Sequence, residues 1–196
     1  MLVLPSLHDP KLAALFKSGK VGVIPTDTIY GLAASAADPQ AVARLYALKH
    51  RERKPGTVIA ASAQQLIELG VPAETVQAVS VLWPNPLSID MLVGGNLEHL
   101  DQGTGHCAFR VVADEEVRAM LAMTGPLLTS SANDPGQPPA ENLVQGQDYF
   151  GDEVDFYVDG GNRSGRLPST VARYRDGRFE TVRRGAVTID ETGKLL

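Results

Sequence analysis

A layered α/β or α+β domain is predicted by three observations on this chain of 196 residues. Apolar runs of strand length recur, as at Val21-Gly22-Val23-Ile24 and Val58-Ile59-Ala60-Ala61. Ahead of each lies a pair, Asp9-Pro10 and Asp38-Pro39 respectively, in which an N-cap acceptor precedes a proline at the first helical position. Near the C-terminus, Arg175-Asp176-Gly177-Arg178 carries the Asp-Gly signal of a tight hairpin. Helices interleaved with strands and local hairpins must bury their apolar faces against one another, and layers are the stable way to do so.

The elements follow in order. The helix opened by Asp9-Pro10 is predicted to end near Gly19 and to lead into a buried strand at residues 21 to 25, closed by Pro25. The helix opened by Asp38-Pro39 runs to about His50. A second buried strand at Val58 is followed by Ser62-Ala63-Gln64-Gln65, a capping-box start. Pro72 opens a helix reaching about Leu82. Leu87 to Met91 and Cys107 to Val112 alternate apolar and polar residues, as strands with one polar or ligand-facing side do. Asp114 caps a helix through Met123, and Pro126-Leu127-Leu128-Thr129 is a strand that runs into Ser130-Ser131-Ala132-Asn133. Residues 134 to 148, with three prolines and two glycines, are predicted to form a long functional or mobile loop. No internal repeat, low-complexity tract or linker breaks the chain, so one domain spanning residues 1 to 196 is expected.

Composition narrows the class. At 43% hydrophobic and 21% charged residues the chain is an ordinary soluble globular protein with enough length for a sizeable core. No apolar stretch approaches the ~20 residues of a membrane span, and the Met-Leu-Val-Leu-Pro start lacks the basic flank of a signal peptide, so a cytoplasmic protein with no membrane partner is expected. The lone Cys107 agrees with a reducing compartment and reads as a small core residue. A net charge of -5 argues against tight non-specific nucleic-acid binding. Against that balance, Lys49, Arg51, Arg53 and Lys54 place four cations and one anion, Glu52, in six residues. That local field should attract a polyanion, with a weak RNA contact as one possibility.

Familiar nucleotide motifs are missing. Gly193-Lys194 is followed by Leu195 and makes no Walker A loop; no G-x-G-x-x-G opens a helix after a strand; no G-x-S-x-G elbow is present; and the four histidines have no metalloprotease spacing. Any ATP site would have to be assembled from isolated cations and hydroxyls.

Five segments, in order, resemble the YrdC/TsaC family, the threonylcarbamoyl-AMP synthases. They are Pro25-Thr26-Asp27-Thr28-Ile29-Tyr30-Gly31-Leu32; Lys49-His50-Arg51; Thr129-Ser130-Ser131-Ala132-Asn133 with Gly136-Gln137-Pro138-Pro139; Pro168-Ser169-Thr170-Val171; and Arg183-Arg184-Gly185-Ala186-Val187. The resemblance implies a YrdC-like open, twisted, mixed β-sheet with flanking helices and a concave ligand-binding face. It implies an L-threonylcarbamoyladenylate synthase, a nucleotidyltransferase that makes threonylcarbamoyl-AMP and pyrophosphate from ATP, L-threonine and bicarbonate or CO2. Mg²⁺ would accompany the phosphates rather than sit in a protein cage. The product would pass to a separate tRNA threonylcarbamoyl transferase complex. The extra C-terminal domain of the family's long members is not expected at this length.

By the same resemblance Lys49 and Arg51 are catalytic triphosphate ligands, able to neutralise charge on the α-phosphate and departing pyrophosphate. Ser131, Asn133 and Arg183 join them around the nucleotide, with Arg184, at the position of the usual proline, competing with Arg183. Thr26, Tyr30, Arg110, Thr129 and Ser169 fall around the amino-acid substrate, where a guanidinium suits a carboxylate. Read without the resemblance, Lys49 and Arg51 are cations at a helix C-terminus, Ser131 and Asn133 are turn formers, Arg183 is an exposed hairpin residue, and Tyr30 belongs equally to a core. Asp27 stands where the family commonly has glutamate, Ala33 where glycine is common, and Glu52-Arg53-Lys54-Pro55 and Asn133-Asp134-Pro135-Gly136 depart from the usual runs. Two alternatives stay open: a carbamoyladenylate-forming domain of a maturation pathway, and a non-catalytic RNA-binding module.

Overall fold

A computed structural model describes residues 1–50, 53–175 and 177–196. The described strands are β1 (Leu2–Leu4), β2 (Gly22–Pro25), β3 (Tyr30–Ser35), β4 (Thr57–Ala60), β5 (Leu87–Leu92), β6 (His106–Val111), β7 (Leu127–Ser131), β8 (Phe156–Val158), β9 (Thr170–Arg175) and β10 (Arg178–Arg183). They form one mixed sheet in the order β1-β8-β2-β3-β7-β4-β6-β5-β9-β10. The helices are α1 (Lys11–Lys17), α2 (Pro39–Leu48), α3 (Ala63–Leu69), α4 (Ala73–Ser80), α5 (Glu115–Thr124) and α6 (Leu143–Phe150), with a 3₁₀ segment at Gly95–Leu100.

Both faces of the sheet are clothed, which makes three layers. On one face Leu32, Val58, Leu128 and Phe109 pack with Val42 and Leu45 of α2, Leu66 of α3, Val76 and Val79 of α4, and Phe150 of α6. On the other, Ile24, Ile59, Leu127 and Phe156 pack with Leu12 and Phe16 of α1 and Val117, Met120 and Leu121 of α5. This second cover is partial. Leu127 lies beneath α5, but Thr129 and Ser131, on the same side of β7 by strand alternation, run out from under the helices and line an open cleft.

The local signals account for most boundaries. Asp38 accepts from the Gln40 and Ala41 N–H groups at the head of α2, and Asp114 accepts from Val117 N–H at the head of α5. The capping box at Ser62 is half made: Ser62 accepts from Gln65 N–H, whereas the Gln65 side chain reaches Ala61 N–H and the Leu121 carbonyl instead of closing the box. Arg175 and Arg178 pair across the predicted hairpin; Asp176 itself lies outside the described residues. Cys107 is buried in the core, and that burial pushes its thiol pKa far up, which makes it a poor nucleophile.

Residues 134 to 148 do not form a continuous loop. Asn142 caps α6 by accepting from Gln145 N–H, so that segment is helical from Leu143 onward and the loop ends at the cap. The cue was an Asn-x-x-Gln start, obscured by the prolines before it. Strands β1, β3 and β8 also went unanticipated. Tyr30 to Ala34 are all buried, so β3 lacks the polar alternation that marks a half-exposed strand.

Candidate active site

The cleft is lined by Thr26, Thr28, Tyr30, Thr57, Thr129, Ser131, Ser169, Arg110 and Arg183 together with backbone and prolines from the neighbouring turns. Its free space is about 170 Å³. That is below the ~300 to 1,000 Å³ of pockets that enclose a drug-sized molecule, and it suits something the size of one amino acid.

The Thr26 turn ends β2 and reverses the chain into β3. Thr26 Oγ1 donates to the Ile29 carbonyl at 2.7 Å, accepts from Thr28 N–H at 3.2 Å and touches the Thr28 hydroxyl at 3.1 Å. Hydroxyls that bond nearby backbone are what hold such a turn. Tyr30 is both a wall and a core residue: its ring is buried, while its hydroxyl donates to the Gly161 carbonyl at 3.0 Å and accepts from Gly160 N–H at 2.8 Å. It thereby ties the first strand pair to the segment after β8.

Arg110, from β6, reaches the same cleft. Its side chain and that of Asp27 are each 3% exposed, and Nη2 lies 2.9 Å from Asp27 Oδ1. Nε and Nη1 are buried and have no hydrogen-bond partner among the described residues, and the same holds for both Asp27 carboxylate oxygens. Burial lowers the guanidinium pKa and Asp27 opposes that; burial likewise raises the Asp27 carboxyl pKa and Arg110 opposes it. A buried cation in the wall of a cleft rich in hydroxyls is an arrangement suited to an anion.

Thr129 Oγ1 donates to the Thr57 carbonyl at 2.9 Å across the β7–β4 pair. Ser169 sits opposite, its hydroxyl 2.9 Å from that of Ser88. Arg183 Nη2 donates to the Ser169 carbonyl at 2.9 Å and to Ser169 Oγ at 3.2 Å. Arg183 lines the cleft and Arg184 does not. Thr28, Thr57 and Ser88 were not singled out in the sequence. Thr28 stood inside a recognised motif, whereas only strand pairing brings Thr57 and Ser88 to the site.

Lys49 is placed differently from a phosphate-facing cation. It is fully buried at the C-terminus of α2, outside the cleft lining, and its Nζ donates to the Ser131 carbonyl at 2.8 Å, to the Asn133 carbonyl and to Asn133 Oδ1 at 3.0 Å. Asn133 is buried as well; its amide nitrogen donates to the carbonyls of Asp134 and Gln137. In this arrangement the lysine charge is spent on the turn that presents Ser131. Arg51 lies outside the described residues, while Arg53 and Lys54 are exposed beside Pro55 at the cleft. Among the described residues no group of three or more His, Cys, Asp or Glu side chains could hold a metal ion, and no helix is long and apolar enough to cross a membrane.

A mixed sheet clothed by helices, with a hydroxyl-lined cleft that Arg110 and Arg183 also line, defines an α/β protein with a cleft on the open part of its sheet. The chain belongs to the Sua5/YciO/YrdC family, whose model, described as "Telomere recombination", matches residues 14–185. A threonylcarbamoyl-AMP synthase of Halorhodospira halophila is 32% identical over 171 residues, covering 85% of this chain and 88% of the relative. The P. abyssi Sua5 structure complexed with L-threonine superposes with a TM-score of 0.84 at 25% identity; the match covers 96% of this chain and 59% of that one. This chain thus spans about three-fifths of that Sua5. E. coli YciO shares the fold, with a TM-score of 0.77 at 20% identity over 94% of this chain and 95% of that one.

Proposed function

We propose that this chain is an L-threonylcarbamoyladenylate synthase. The observation that carries the reading is Arg110: a buried guanidinium in the wall of a hydroxyl-lined cleft of amino-acid size. Arg110 takes the substrate carboxylate, and the hydroxyls of Thr26, Thr129 and Ser169 orient the amine and the side chain, with Tyr30 as wall. The threonine nitrogen captures CO2 to give a carbamate. A carbamate oxygen then attacks the α-phosphorus of ATP, the bond to the β-phosphate oxygen breaks, and pyrophosphate leaves. The step needs no protein nucleophile; it needs positioning and charge stabilisation.

On this reading the triphosphate lies over Ser131 and Arg183 of the cleft lining and extends out of the cleft, with Arg51 as a further phosphate ligand. Lys49 and Asn133 serve it by shaping the Ser131 turn, and Lys49 reaches the phosphates only by exchanging its carbonyl partners for them. Mg²⁺ enters with the nucleotide, since among the described residues the cleft lining supplies hydroxyls and guanidinium groups but no carboxylate. The enzyme works in the cytoplasm as one domain, and its product serves tRNA threonylcarbamoyladenosine formation through a separate transferase complex. Relatives named threonylcarbamoyl-AMP synthase and a Sua5 structure holding L-threonine support the assignment. The test is pyrophosphate release from ATP. It should require L-threonine and bicarbonate together, and equal release without any amino acid overturns the reading.

A further inference from the structure

Arg110 presents a physical problem that Asp27 solves. A guanidinium at 3% exposure needs a counter-charge, because leaving it unpaired in the interior is costly. A counter-ion placed in the cleft would occupy the ligand's position. Asp27 avoids this. Its chain neighbours Thr26 and Thr28 line the cleft with hydroxyls in mutual contact, whereas Asp27 is absent from the lining and pairs with the guanidinium at Nη2.

We propose that Asp27 is the positioning residue of the amino-acid site: it neutralises and orients Arg110 from outside the cleft, so that the guanidinium is held in the cleft wall for the substrate carboxylate. This rests on the reading of Arg110 as the carboxylate ligand and adds a residue that touches no substrate. It also explains why the turn at residues 26 to 28 alternates hydroxyl, carboxylate, hydroxyl. The outer two residues face the ligand and the middle one faces the residue that binds it.

The experiment is calorimetric titration of the full chain with L-threonine and, separately, with ATP. Threonine binding by the unaltered protein checks the amino-acid site itself, and its absence overturns that reading and this proposal with it. Asp27→Asn keeps the shape and removes the charge. It should weaken threonine binding by up to ~10²-fold, the scale on which misplacing a positioned group is felt, while ATP affinity is unchanged. Asp27→Glu, which restores the charge, should recover most of the loss. A folded Asp27→Asn that binds threonine as tightly as the unaltered protein overturns the proposal. The pair Arg110→Gln and Arg110→Gln/Asp27→Asn decides the matter even if Asp27→Asn alone is unstable, because the double variant buries no lone charge. Equal threonine affinity in the two supports action through Arg110. A further loss in the double variant shows Asp27 acting on the ligand directly and overturns it.

Discussion

Asn133 Oδ1 is shared by two donors, Lys49 Nζ at 3.0 Å and Ser131 Oγ at 2.6 Å, so one amide oxygen couples a buried ammonium to a hydroxyl that lines the cleft. The three residues come from two of the family's motif segments. Their arrangement gives Lys49, Ser131 and Asn133 a shared physical purpose: they build one corner beside the cleft together.

Removing the ammonium should therefore cost stability as well as turnover. Lys49→Met leaves the carbonyl oxygens of Ser131 and Asn133 and Asn133 Oδ1 without this donor, and an unsatisfied buried group costs about 1 to 3 kcal/mol. A loss on the order of 3 kcal/mol in thermal or denaturant unfolding is expected, together with a fall of ~10² or more in pyrophosphate release. A variant of unchanged stability that has lost its turnover would place the ammonium on the phosphates rather than on the turn.

Gly185 is a contact glycine. A Cβ there would stand 2.3 Å from the Pro168 carbonyl oxygen and 2.5 Å from that of Ser169, both rigid backbone. Gly185→Ala should force the segment after β10 away from Ser169, costing about 1 to 3 kcal/mol as overpacking does. Because Arg183 donates to Ser169, KM for the amino acid should rise along with the drop in Tm. Steady-state kinetics beside a melting curve would show whether the two effects travel together.

Asp155 supplies a pH-dependent tie. It accepts from Val21 N–H at 2.9 Å, pairs with Lys20 at 3.2 Å and bonds Arg44. Partial burial pushes its pKa up, but these donors outweigh burial and hold it below the usual carboxylate range. A depressed folded pKa means stability that is present above the unfolded value and lost as pH falls through the folded one. Asp155→Asn should cost about 1 to 2 kcal/mol near neutral pH, allowing for its solvent-exposed partners, and the difference should vanish in acid. Urea unfolding at both pH values measures it.

Serine in place of threonine should support pyrophosphate release less well. The missing methyl removes contact with the apolar part of the lining, which includes Ile29, Tyr30 and Pro139. One methyl group is worth ~1 to 3 kcal/mol, or roughly 10- to 200-fold in kcat/KM. Equal kcat/KM for the two amino acids would mean that the cleft does not enclose the side chain.

The amino-acid order by itself determined the motif segments, the heads of α2 and α5, the β9–β10 hairpin and the core role of Cys107. Each of these depends on residues within a few positions of one another: a cap and the N–H groups just after it, a turn dipeptide, a short alternation. Only the tertiary structure decided that Tyr30 to Ser35 pairs between β2 and β7, that Lys49 turns inward to the Asn133 turn, and that Asp27 meets Arg110. Those outcomes hang on strand register between segments far apart in the chain. A charged residue's local sequence says that it needs a partner, but not which one the sheet will bring to it. The departure at Asp27 was visible beside the motif; its meaning appeared only when β6 placed a buried guanidinium within reach.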